Sequence, residues 1–176
     1  MYNKHINIAF FSRIVAFIDI MKGSWNVLES YYQDADYGIN YSHIKSENPP
    51  GMDFHLHERF EIYFFISGKI NYFVEKEVYS LKHGDLLLMN SHEIHKPSFR
   101  SGEVYERIVI HFDPNIPRLF NPSGYDLLSC FVNRPRGEQN RIRLDSNQIH
   151  QVHGMLMKIE ELNSIGSDES RVLKLT

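Results

Sequence analysis

Residues 37–113 break into short runs rich in Val, Ile, Tyr and Phe, each closed by a turn signal, at roughly ten-residue spacing. That rhythm is the strongest constraint on the fold. It suits strands paired through tight turns, and it leaves no room for long helices. Tyr37–Ile44 ends before Glu47-Asn48-Pro49-Pro50-Gly51, and Phe54–Ile66 ends at Ser67-Gly68-Lys69. Ile70–Glu75 and Glu77–Leu81 flank a tight turn, and Lys82-His83-Gly84-Asp85 precedes Leu86–Met89. Glu103–Phe112 closes the series before Asp113-Pro114. The expected fold is mainly β, an antiparallel sandwich or barrel.

Residues 145–176 are expected to be helical. Asp145 or Ser146 can cap a helix in which Ile149, Val152, Leu156, Ile159 and Leu162 form one stripe. Ser164-Ile165-Gly166-Ser167 should stop it, with a second helix starting near Asp168. That second pattern has barely begun when the chain reaches Thr176, so the natural protein is expected to continue. Upstream, Ile6, Phe10, Ile14, Phe17 and Met21 recur at helical spacing. Arg13 and Asp19 interrupt the apolar stretch, which is too short to span a bilayer. The expected organisation is a leader and lead-in over 1–36, a barrel over 37–144 and a helical segment over 145–176. Residues 114–140, rich in Pro, Gly, Asn and Arg, read as loop with a short helix near Tyr125–Phe131.

A net charge of −3 gives no overall pull towards nucleic acid. The single Cys130 excludes an internal disulfide and a Cys-rich zinc site, and fits a reducing cytoplasm. The apolar fraction of 42% is enough to bury a core.

The chemistry concentrates in His55, His57, Glu61 and His95. On a continuous strand, alternation puts His55, His57, Glu61, Tyr63 and Phe65 on one face. His95 must then come from another strand. Three imidazoles and a carboxylate suit Zn, Fe, Ni, Mn or Cu, or equally a polar small-molecule pocket. Tyr63, Phe65 and Phe99 can wall such a pocket or simply be core. His83 and His92 belong in surface turns, His150 and His153 on the solvent side of the helix, and His111 can face either way.

His55-x-His57-x3-Glu61-x6-Gly68 resembles the first cupin motif. Gly84, Asn90, His92, His95 and Phe99 resemble the second, with Asn90, His92 and Phe99 where that motif has Pro, Gly and Asn. The stretches Phe54–Gly68, Leu81–Asn90, Glu93–Pro97, Tyr105–Pro114 and Asn133–Asn140 together resemble the ligand-binding domain of AraC-type transcriptional regulators, over about residues 37–176. The resemblance implies a cupin jelly-roll barrel that senses a small molecule, often a sugar, through His55, His57, Glu61, Tyr63, Phe65, His95 and Phe99. It implies a homodimer formed through the C-terminal helices. DNA would be bound only by a further C-terminal domain absent from this sequence, and no membrane is involved. The ligand set His55, His57, Glu61 and His95 leaves a second reading open. That reading is a small metalloenzyme of the dioxygenase or sugar-isomerase type, using Zn, Ni, Fe or Mn. A third is a vestigial pocket in a domain that only dimerises.

Overall fold

The computed structural model describes residues 26–28, 31–34, 38–47, 49–100, 103–118 and 126–173, with side chains described between 38 and 161 of that set. The helical spacing of Ile6 to Met21 lies outside the described residues. Two short strands, β1 (Asn26–Leu28) and β2 (Tyr31–Asp34), stand in the lead-in and pair onto β3 (Ile39–Ser46). Then come β4 (Phe60–Ser67), β5 (Ile70–Val74), β6 (Glu77–Ser80), β7 (Leu86–Met89), β8 (His95–Phe99) and β9 (Tyr105–Phe112). Helices α1 (Asn115–Arg118) and α2 (Ser129–Val132), strand β10 (Arg141–Ile142) and helix α3 (Ser146–Leu173) complete the chain. Every pairing is antiparallel. One sheet runs β1-β2-β3-β9-β4-β7-β10 and the other β6-β5-β8. The expected mainly β architecture followed by helix is present. The two sheets do not close into one hydrogen-bonded cylinder among the described residues.

Strand β4 shows how the layers are built. Its side chains alternate between two faces, and both faces are buried. Phe60, Ile62 and Phe64 pack with Ile108 and Ile110 of β9, Leu86 and Leu88 of β7, and Val152, Leu156 and Ile159 of α3. Tyr63 and Phe65 pack on the opposite face with Tyr72 and Val74 of β5, Leu87 and Met89 of β7, and Val109 of β9. A strand covered on both faces reads as an almost unbroken apolar run, which is why Glu61 stands out within it. Helix α3 therefore backs the sheet whose other face carries the histidines.

Two local expectations are corrected. First, Phe54–Ile66 is not one strand. Before β4, only His55 pairs, in an isolated bridge to His95, with backbone bonds of 3.1 and 2.9 Å. This segment crosses from the β8 edge of one sheet to the β7 and β9 partners of β4 in the other. A crossing chain cannot keep to one ladder. His95 itself lies on a separate strand, β8, which runs through Pro97. Strand β8 lies at a sheet edge, where a missing N–H is tolerated. Second, the helix does not stop at Ser164–Ser167 but continues to Leu173, so no separate helix begins at Asp168. An interior Gly costs a helix only about 1 kcal/mol relative to Ala, and no proline follows. Asp145 supplies the cap. Its Oδ1 accepts from Gln148 N at 2.9 Å, and Gln148 Oε1 accepts from Asp145 N at 2.9 Å, a capping box. The helical stripe packs on the sheet through Val152, Leu156 and Ile159.

The turn before β8 is held by a second buried charge. Arg134 donates to Glu93 at 2.5 and 2.7 Å, and Asn90 N, Gly137 N and Asn140 Nδ2 donate to the same carboxylate at 3.0, 2.7 and 3.0 Å. Glu93 is fully buried. Burial opposes its charge, but the bonds from Arg134, Asn90 and Gly137 and the charge of Arg134 together outweigh that and hold the carboxyl below the ordinary glutamate range.

Arg134→Ala leaves that charge buried without its cationic partner, and should cost about 3–5 kcal/mol in urea unfolding. The contribution of wild-type Glu93 is complete above a pH of about 4.3 and is lost as pH falls through its lowered value, so the variant should show a shallower acid limb. Leu156→Ala, measured in the same way, should cost about 2–5 kcal/mol. A loss under about 1 kcal/mol would mean that α3 is not docked through that residue.

Candidate functional site

Four segments deliver five side chains to one spot. His55 and His57 come from the crossing segment, Glu61 from β4, His95 from β8 and His111 from β9. Glu61 Oε2 lies 3.0 Å from His57 Nε2, 3.0 Å from His111 Nε2 and 3.3 Å from His95 Nε2. Tyr72 donates its hydroxyl to Glu61 Oε1 at 3.2 Å. The rings of His55 and His95 are 4.5 Å apart, and those of His57 and His111 4.7 Å. Of the four residues expected to form a metal set, all converge. His111, which alternation left undecided, joins them.

The outer nitrogens decide what the inner ones can do. Nδ1 of His55 faces the carbonyl oxygen of Asp53 at 3.0 Å, Nδ1 of His57 that of Arg59 at 2.8 Å, and Nδ1 of His95 that of Glu93 at 2.8 Å. A carbonyl only accepts, so each Nδ1 carries the proton. In the neutral ring Nε2 then presents a lone pair. The Nε2 of His95 is buried without a hydrogen-bond partner, and those of His57 and His95 both face a carboxylate. Lone pairs aimed at a carboxylate repel it unless the rings are protonated or a cation stands between them.

This donor set fits a divalent ion. Ligating histidines characteristically donate their second N–H to a backbone carbonyl, as three do here. Two donors held about 2.1 Å from one ion at right angles stand about 3.0 Å apart, close to the spacings around Glu61 Oε2. Two overlapping trios, His55–His57–His95 and His57–Glu61–His111, each keep their donor atoms within 4.8 Å.

Burial would raise the carboxyl of Glu61, but the bonds from His111 and His57 and the close approach of His95 together outweigh it and hold that carboxyl well below its ordinary range. Burial would lower His95, yet the nearby Glu61 carboxylate and the bond to the Glu93 carbonyl raise it. Burial lowers His55. The cluster is open on one side. His57 and His111 keep 26% and 31% of their side-chain surface, while His95 is wholly enclosed.

Of the three aromatic positions, Tyr63 and Phe65 lie in the core and Phe99 is partly buried at its edge. Tyr63 is 1% exposed, with its hydroxyl 2.5 Å from that of Tyr105. Phe65 is equally buried, and Phe99 packs edge-on against Tyr105 with centroids 4.7 Å apart. His83, His92 and His150 are exposed as expected. His153 is not, since its ring stacks on Phe64 at 5.8 Å. Sequence reasoning did not find Tyr72, nor Asn40, which pairs with His111 across β3 and β9. The tyrosine looked like any strand aromatic, and the asparagine had no motif around it.

No curated protein matches the chain in sequence. Among solved structures it is similar to an RmlC-like cupin family protein with a double-stranded β-helix fold from Methanocaldococcus jannaschii, at 11% identity and a TM-score of 0.43 over 52% of this chain and 90% of that one. It is similar to a cupin protein from Bacteroides fragilis at 23% identity and a TM-score of 0.39, over 51% and 74%. It is also similar to KdgF from a Halomonas species at 16% identity and a TM-score of 0.37, over 52% and 89%. No described helix is long and apolar enough to cross a membrane. The sequence model of the AraC-like ligand binding domain matches residues 43–164, a span that takes in all five converging side chains, and the chain belongs to that family.

Proposed function

We propose that this chain is the effector-sensing and dimerisation domain of an AraC-type transcriptional regulator, and that its effector is a small polyhydroxylated molecule of the sugar class, bound and released unchanged. The observation that carries this reading is the partly open cluster on Glu61, set on the inner face of a sheet whose outer face holds α3. His55, His57, Glu61 and His95 would hold a Zn, Ni, Fe or Mn ion, which when bound supplies coordination for an effector oxygen. Phe99, Tyr63 and Phe65 would form the apolar floor beneath it.

The chain's own residues support a route from pocket to helix. Glu61 and Phe60 are neighbours on β4 with opposite facings, so a shift of the carboxylate moves the strand that packs on Phe131 and α3. His43 of β3 adds a polar link, with Nδ1 3.0 Å from Glu160 of α3 and Nε2 3.0 Å from Glu106 of β9. An effector would signal by binding two arrangements of sheet and helix with different affinity. Dimerisation would use the helical segment 145–176, and DNA would be bound by a domain outside this sequence, in the cytoplasm.

The test is a thermal-shift panel of neutral aldoses, sugar acids and sugar phosphates. A true effector at a hundred times its Kd adds about 2.7 kcal/mol, and that gain should disappear in Glu61→Gln and His57→Ala. In the whole regulator the same compound should change operator occupancy. Turnover of that compound by the metal-loaded chain would overturn the non-enzymatic reading, and a panel with no stabilising compound would overturn the sugar class.

A further inference from the structure

His111 is unlike the other three histidines. Each of them has Nδ1 held by a backbone carbonyl. His111 bonds Glu61 through Nε2 at 3.0 Å, and no carbonyl holds its other nitrogen among the described residues. It is also more open than His57 or His95. A ring held at one atom by a side chain and open to solvent can swing away, whereas His57 is held at both nitrogens and His95 is enclosed.

Its neighbours suggest what would replace it. The register places Asn40 of β3, His111 of β9 and Glu61 of β4 in one transverse row. Ile39 and Tyr41 belong to the core beneath α3, so alternation turns Asn40 to the inner face with the other two. The Oδ1 of Asn40 is buried and has no donor. A buried acceptor left unpaired costs about 1–3 kcal/mol, and a hydroxyl arriving beside it would remove that cost.

We propose that His111 is the replaceable fifth donor of the site: it closes over Glu61 in the absence of effector and yields to an effector oxygen, while the adjacent effector hydroxyl donates to Asn40 Oδ1. The effector class this selects is one with two neighbouring oxygens, at least one of them a hydroxyl. The inference rests on the sensing reading above and adds the residues that would discriminate among its ligands.

The test uses the whole chain, Co(II) as the ion and glycolate as a probe that carries a carboxylate oxygen next to a hydroxyl, followed by calorimetry and the visible Co(II) bands. His57→Ala should weaken Co(II) binding about 100-fold, and His111→Ala by less than about tenfold. Glycolate should bind Co(II)-loaded His111→Ala about tenfold tighter than wild type, because no ring has to be displaced. Asn40→Ala should leave Co(II) affinity unchanged and weaken glycolate about fivefold. His111→Gln, which keeps a polar side chain, serves if the alanine variant folds poorly. The inference is overturned if His111→Ala loses Co(II) as His57→Ala does, or if glycolate binds wild type and variant alike. Failure of the wild type to take up Co(II) also overturns it. The sugar panel reads sensing separately, so that last result would leave the sensing role standing.

Discussion

A carboxylate buried between two sheets must be compensated, and much of this molecule is arranged around that requirement at Glu61. Water is excluded from it, so its charge has to be met by placed donors. Three imidazoles and a phenol do this, drawn from the crossing segment, β5, β8 and β9. The crossing segment and β5 flank β4 in sequence, but β8 and β9 do not, and β5 and β8 belong to the other sheet, so the carboxylate also ties both sheets together. Replacing it with an apolar side chain would leave several buried polar groups facing nothing, which is why the site and the fold are hard to separate here.

A second buried carboxylate, Glu93, works at one remove. Its side chain gathers Arg134, Gly137 and Asn140 onto the turn before β8, while its carbonyl oxygen accepts a hydrogen bond from His95 Nδ1. One residue thus anchors the 134–140 loop and sets the tautomer of a histidine that faces Glu61. The Asn133–Asn140 segment looked like simple loop by composition. Its Arg, Gly and Asn turn out to be the donors that a fully enclosed glutamate needs.

His55, His57, Glu61 and His95 were readable from spacing because each is a residue type rarely placed in an apolar strand without a partner. His111 has the same chemistry, but its partner lies fifty residues away and is fixed only by the β4–β9 register. The continuous strand through His55 failed for a related reason. Alternation describes a segment that stays in one sheet, and this one changes sheets between its bridge to His95 and the start of β4. Gly166 misled because a turn residue within a helix is a modest penalty, not a stop.

Local periodicity and side-chain chemistry were enough to specify the strand-rich class, the apolar run around Glu61, the helix start at Asp145 and the types of group at the site. Each of these can be read within a window of a dozen residues or fewer. Long-range packing settled the rest: that the two sheets do not close on one another among the described residues, that α3 backs the sheet bearing Glu61, and that His111, Tyr72 and Asn40 belong to the same corner. Those facts depend on which strands lie side by side and in what register. The joint burial of both faces of β4 selects that arrangement, and it draws on residues from β3 to α3 that no short stretch of the chain contains.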